Sequence, residues 1–241
     1  MNLSIVIPAY REAAKIARDV EAAGTFLAQE RLEGEILVVD DGSADGTAEA
    51  VERPDLPAGV RRRVLRYTPH RGKGFAVRTG MAETRGEYVL LTDSGLCVPM
   101  ACALKGLEMI RAGACDIAHG SRRLTQSVIR RPQPIRRRLL SRLAGAAVRA
   151  ATGVPKDLTD TQCGFKVYRG DAARELYAQC RTDGFLFDIE IILRAARRGY
   201  SIREFPVEWV CDLDSRLHPG RNLWRTAKEL LEIRRTLRRE P

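Results

Sequence analysis

Several things are scarce in this chain of 241 residues, and each scarcity excludes a class of protein. Its six cysteines form no Cys-x-x-Cys pair and there are only three histidines, so a structural zinc site is not expected and reduced thiols are the simplest reading. No apolar run approaches the roughly 18–20 residues of a membrane-spanning helix. The first residues, Met1 to Pro8, lack a basic leader and read as a strand. There is no internal repeat and no Ser/Gly-rich linker. Acidic residues are missing altogether from Ser121 to Lys156, where ten basic residues stand: Arg122, Arg123, Arg130, Arg131, Arg136, Arg137, Arg138, Arg142, Arg149 and Lys156. That window alone carries the net charge of +10. Such a local field attracts phosphates or an anionic surface. It also lacks aromatic residues for stacking bases, and no recognition motif is present, so no nucleic-acid partner is expected.

What is present is an alternation of strands and helices. Apolar, β-branched runs at 3–7, 35–39, 62–67, 87–92 and 116–120 predict strands. Helical spacing of apolar residues predicts helices over 12–29, 47–51, 75–83 and 100–112. Ser43 and Asp45 are candidate caps for the second of these. This βαβα order implies a mostly parallel, Rossmann-like sheet flanked by helices. Further on, the pattern predicts strands at 165–168 and 201–208 and helices at 172–180 and 187–198. Two basic amphipathic helices complete the reading. One carries Ile135, Leu139, Leu140, Leu143, Ala147 and Val148; the other runs over 221–239 with Leu223, Trp224, Ala227, Leu230, Leu231 and Leu237 on one face. The chain divides into one domain over 1–216 and a C-terminal helix over 217–241 packed on or beside it. The apolar faces of the two basic helices either lie on an anionic bilayer or pack on the protein or in a homodimer.

Chemistry concentrates at the ends of the predicted strands. Pro8-Ala9-Tyr10-Arg11-Glu12 follows the first, Asp40-Asp41-Gly42-Ser43 the second, Arg71-Gly72-Lys73-Gly74 the third, and Asp93-Ser94-Gly95 the fourth. An open α/β sheet binds its ligand beyond the carboxyl ends of its strands. One Asp-Gly turn is ordinary punctuation; four such segments in this order are not.

The motifs IPAYRE (7–12), VDDGSADGT (39–47), GKGFAVRTG (72–80), TDSGL (92–96), GSR (120–122), DTQCGFK (160–166) and GFLFDIE (184–190) resemble those of family-2 glycosyltransferases with a GT-A fold. The resemblance is strongest to the dolichyl-phosphate β-glucosyltransferases and related polyprenyl-phosphate sugar synthases, and it covers about residues 3–216. It implies an inverting, UDP-sugar-dependent hexosyltransferase, glucose being the expected sugar and a polyprenyl or dolichyl phosphate the expected acceptor. Its expected place is peripheral, on the cytoplasmic face of the membrane. Pro8, Ala9, Tyr10, Glu12, Asp40, Asp41, Lys73, Asp93 and Ser94 are then expected to line the nucleotide-sugar pocket. Asp93, Asp160, Arg122, Arg131 and Arg216 are expected around the reacting groups, the arginines on phosphates. Asp93 anchors a Mg²⁺ or Mn²⁺ ion.

One departure stands out. The family pattern is Asp-x-Asp, and this chain has Asp93-Ser94-Gly95. Asp93 could hold the ion with diphosphate and water alone. Another acid, such as Asp160, could enter. Alternatively the chain binds a nucleotide sugar with weak or lost catalysis, or it uses another donor or acceptor. Asp160 and Asp188 are also read as groups that orient others or cap helices.

Overall fold

In a computed structural model of the protein, the described residues are 1–132, 134, 145, 148, 149, 151–212 and 223–239. Nine strands are described: β1 (Leu3–Ala9), β2 (Gly34–Asp40), β3 (Arg61–Arg66), β4 (Tyr88–Thr92), β5 (Ile117–Ser121), β6 (Val128–Arg131), β7 (Phe165–Arg169), β8 (Ile202–Pro206) and β9 (Glu208–Val210). The labelled helices are α1 (Ile16–Gln29), α2 (Thr47–Val51), α3 (Lys73–Ala82), α4 (Ala103–Arg111), α5 (Gly170–Gln179), α6 (Phe187–Arg197) and α7 (Leu223–Arg239).

Seven strands form one sheet in the order β3-β2-β1-β4-β7-β5-β8. Pairing is parallel throughout β3-β2-β1-β4 and between β5 and β8. Strand β7 runs antiparallel to both of its neighbours. The continuous apolar runs of β1 and β2 follow from this arrangement, because helices cover both faces and every residue of these strands is buried. One core lies under α1, α2 and α4 and is built on Ile5, Ile7, Ile36 and Val38. The other lies under α3, α5 and α6 and is built on Val6, Val39, Val89 and Leu91.

Three differences from the sequence reading have local causes. Helix α1 starts at Ile16, not at residue 12: Lys15, at φ −122°, is still outside helical geometry, and the Glu12 N–H bonds the Thr47 hydroxyl at 2.9 Å, joining two strand ends. The basic window contains strand β6, which pairs in parallel with β9 in a separate two-stranded sheet, and the expected last strand is divided at Val207. The four residues of β6 are all exposed, so no buried face marks that strand in the sequence. Helix α7 sets Ile233 and Leu237 into a cluster with Leu186, Ile189 and Ile192, and Leu230 packs against that cluster. This part of its apolar face is therefore spent on the protein, while Ala227 and Leu231 stay exposed. Of the other amphipathic stretch, Ile135, Leu139, Leu140, Leu143 and Ala147 lie outside the described residues; Val148 packs on the α6–α7 cluster. Among the described residues, no helix is long and apolar enough to cross a membrane.

Candidate active site

The carboxyl ends of β1, β2 and β4 and the start of α3 meet beside the turn that precedes β7. Each piece is held by backbone bonds. The Asp41 N–H donates to the Ala9 carbonyl at 2.9 Å, and the Arg11 N–H to the Ser43 hydroxyl at 2.8 Å, so the loops after β1 and β2 are tied to each other. Neither expected cap holds the N-cap position of α2, which is Gly46: Asp45, one residue earlier, accepts the Thr47 N–H at 3.2 Å, and Ser43 serves the Arg11 bond.

Asp40 is fully buried and accepts the Ser43 N–H at 3.0 Å. Asp41 is nearly as buried, and its two oxygens accept the Arg71 N–H at 2.7 Å and the Gly72 N–H at 2.9 Å. The His70 ring nitrogen Nδ1 stands 2.8 Å from the same carboxylate, and that ring stacks on Tyr10 with centroids 3.9 Å apart. Asp41 thus shapes the 70–72 loop. Gly72, with φ at +122°, turns the chain into α3. The first free amides of α3, Gly74 and Phe75, donate to the Asp183 carbonyl at 2.8 and 3.2 Å. Asp183 also binds Arg78 through its carboxylate at 2.6 Å.

Lys73 and Asp93 form the centre. The ammonium Nζ lies 2.6 Å from Asp93 Oδ1. Burial alone pulls the Lys73 pKa down, but the Asp93 and Asp188 carboxylates outweigh it and hold the ammonium above its ordinary value. The Asp93 N–H donates to the Gly164 carbonyl at 2.9 Å. A Cβ on Gly164 would fall inside the Asp93 carboxylate, so only glycine lets the two segments approach this closely. Gly164→Ala should therefore push Asp93 off Lys73. The expected result is a loss of about 100-fold in turnover, the range seen when one preorganised electrostatic group is removed. Denaturation midpoints measured alongside should stay close to the parent's; a fully active Gly164→Ala protein would contradict this account of the contact.

Asp160 and Arg122 also come together, but on each other. The guanidinium binds the carboxylate in a fork, Nε to Oδ2 at 2.6 Å and Nη2 to Oδ1 at 2.8 Å. Burial opposes ionisation of Asp160, yet Arg122 wins and holds its pKa below the usual carboxylate range. Asp160 is thus committed to Arg122 in this structure. Arg131, on β6, donates through Nε to the Cys211 carbonyl at 2.9 Å. Ser94 is part-buried in the turn after Asp93. Arg216 lies outside the described residues.

Sequence reasoning read Asp188 as an orienting or capping group but missed its pairing with Lys166, and it missed Asp19. Lys166, on β7, and Asp188, in the first turn of α6, form a buried ion pair under Lys73. Asp19, in α1, accepts the Gly95 N–H at 2.7 Å through Oδ2, while its Oδ1 has no hydrogen-bond partner among the described residues. Helical spacing marks Asp19 only as one polar residue on a helix. Burial pushes the Asp19 pKa up to about 6. The folded state therefore holds this proton more tightly than the unfolded chain. The resulting stability is fully present below about pH 4 and lost as pH rises through 6, on the order of 3 kcal/mol at most. Asp19→Asn should flatten this part of the profile. The drop in urea midpoint between pH 5 and pH 7 should be smaller in the variant, and equal drops would show that Asp19 does not titrate in that window.

Among the described residues, no three His, Cys, Asp or Glu side chains are gathered for a metal ion. That does not clash with a Mg²⁺ or Mn²⁺ ion, which commonly uses one or two carboxylates plus substrate phosphates and water. Asp93 is a hard oxygen donor, part-exposed at the cleft and seated in the space that Gly164 leaves open.

The family model described as Glycosyl transferase family 2 matches residues 4–177. Glycosyltransferase AglD of Haloferax volcanii is 30% identical over 237 residues, which cover 96% of this chain and 36% of that protein. Dolichyl-phosphate beta-glucosyltransferase of Saccharomyces cerevisiae is 30% identical over 250 residues, covering 96% of this chain and 74% of the relative. The chain thus spans about a third of the first and three quarters of the second. Among solved structures, glucosyl-3-phosphoglycerate synthase of Mycobacterium tuberculosis, in complex with Mn²⁺, UDP-glucose and glycerol 3-phosphate, matches with a TM-score of 0.63 at 21% identity. That match covers 98% of this chain and 78% of the other.

Proposed function

This chain belongs to glycosyl transferase family 2 and has the GT-A fold, and from that membership we propose that it moves glucose from UDP-glucose onto a polyprenyl phosphate of the dolichyl type. The observation that carries the reading is the Lys73–Asp93 pair, set where the strand-end loops meet the Asp160–Gly164 turn. The named activity of the yeast relative supports the sugar and the acceptor. The donor bound in the mycobacterial structure supports the nucleotide.

In this reading an oxygen of the lipid phosphate attacks the anomeric carbon from the face opposite UDP. The carbon–oxygen bond to the diphosphate breaks, UDP leaves with the electron pair, and the product is β-linked. The acceptor is already anionic at neutral pH, so no side chain has to take its proton. Asp41 keeps the 70–72 loop in place beneath the nucleotide. Lys73 brings a fixed positive charge to the diphosphate side. Arg122, oriented by Asp160, brings a second to the same cleft. A divalent cation held by Asp93 supplies neutralisation of the leaving diphosphate when bound. The rest of the basic window, Arg123 to Lys156, fits an anionic membrane surface, with the protein attached peripherally on the cytoplasmic side.

The test is direct. The purified chain is mixed with UDP-glucose and a short polyprenyl phosphate in vesicles, and the lipid is read by mass spectrometry. A hexosyl-phosphoryl lipid is expected together with released UDP. UDP-glucose binding in calorimetry without any sugar-bearing lipid would instead favour a nucleotide-sugar-binding protein, the reading that Gly95 motivates.

A further inference from the structure

Gly95 leaves a gap in the carboxylate pair at the end of β4, and the fold fills it from elsewhere. The backbone at this position is clamped. Its N–H donates to Asp19, its carbonyl accepts from Arg18 Nη2 at 3.3 Å, and its φ of +95° disfavours any side chain. A Cβ built on Gly95 would stand 3.1 Å from Asp212 Oδ2. The Asp212 carboxylate therefore lies in the space into which a side chain at 95 would point. Its segment is pinned there by two backbone bonds, Val210 N–H to the Cys97 carbonyl at 2.8 Å and Cys211 N–H to the Arg131 carbonyl at 3.0 Å.

We infer that Asp212 supplies the second carboxylate of the cation site, replacing the acid absent at position 95. The inference rests on the proposed transfer reaction and deepens it. Both flanking carboxylates carry a lysine in this structure: Asp93 pairs with Lys73 at 2.6 Å and Asp212 with Lys15 at 2.9 Å. Lys15 is itself 4.0 Å from Glu12, so an alternative anionic partner is at hand when Asp212 turns to a divalent ion. Both donors are hard oxygens, suited to Mg²⁺ or Mn²⁺.

The test titrates Mn²⁺ into the full chain in the presence of UDP and reads free Mn²⁺ by electron paramagnetic resonance. Replacing even the outer partners of metal ligands weakens affinity about 10–100-fold. Asp212→Asn is therefore expected to weaken Mn²⁺ binding by about ten-fold or more. Lys15→Ala, which removes one competing cation from Asp212, should leave binding as tight or tighter. The inference is overturned if Asp212→Asn binds Mn²⁺ like the parent. It is equally overturned if Lys15→Ala weakens binding as much as Asp212→Asn, since the ion pair alone would then explain both. Absence of Mn²⁺ uptake by the parent chain also overturns it. Where such a parent still makes glucosyl lipid in a chelator, only this inference falls; where UDP-glucose fails to bind at all, the transfer reading falls with it.

Discussion

Replacing Asp93 with Ala should cut the transfer rate by about 10²–10³-fold, the loss seen when one preorganised electrostatic group is removed from a reacting centre. Two effects add. The proposed anchor for a cation disappears, and Lys73 loses its partner at 2.6 Å and keeps only the attraction of Asp188. UDP-glucose affinity, measured by calorimetry without metal, should change far less, because the Asp41 bonds that shape the 70–72 loop are untouched. A variant that keeps more than about a tenth of the parent rate would remove Asp93 from the reaction.

The largest effect on stability is expected at Lys166 and Asp188. Both side chains are almost fully buried, Lys166 in the middle of the sheet and Asp188 at the start of α6. Lys166→Met leaves a carboxylate in an apolar interior facing Lys73, and Asp188→Leu leaves an ammonium there. Breaking one side of such a pair costs about 3–5 kcal/mol. Replacing both together with apolar residues of similar volume should recover most of that loss, because neither charge then has to be desolvated. Urea denaturation of the two single variants and the double variant measures this directly. Losses in the double variant equal to the sum of the singles would show that the two residues do not act as a pair.

Much of the frame was legible in the order of residues. Apolar strand runs closed by Pro8, Asp40 and Asp93 marked both the strands and the edge where they end, and the motif set named the family that the comparisons bear out. Local signals sufficed because each of these features is written in consecutive residues. Other features rest on contacts between distant segments, and no window of sequence shows them. The antiparallel setting of β7, the pairing of β6 with β9, and the commitment of Asp160 to Arg122 are of this kind. So is the apolar face of α7: amphipathic spacing says that one side must be covered, while the structure shows that α6 covers part of it. Asp212 is the sharpest case. Position 95 reads as a loss in sequence, yet the space beside it holds a carboxylate brought in by a strand from the far end of the domain.

The place of β7 has a consequence for biosynthesis. It joins β4 on one side and β5 on the other, although β5 and β6 precede it in the chain. A ribosome therefore releases β1 to β4 well before their partner exists, and the hydrogen-bonding edge of β4 stays open until residue 169 is made. An open, apolar edge is a template for pairing with another chain. The Asp93–Gly164 contact comes late for the same reason. A truncated nascent chain ending before β7 should hold its first half as an aggregation-prone fragment that recruits chaperones, and the candidate site should be complete only when that central strand slots in.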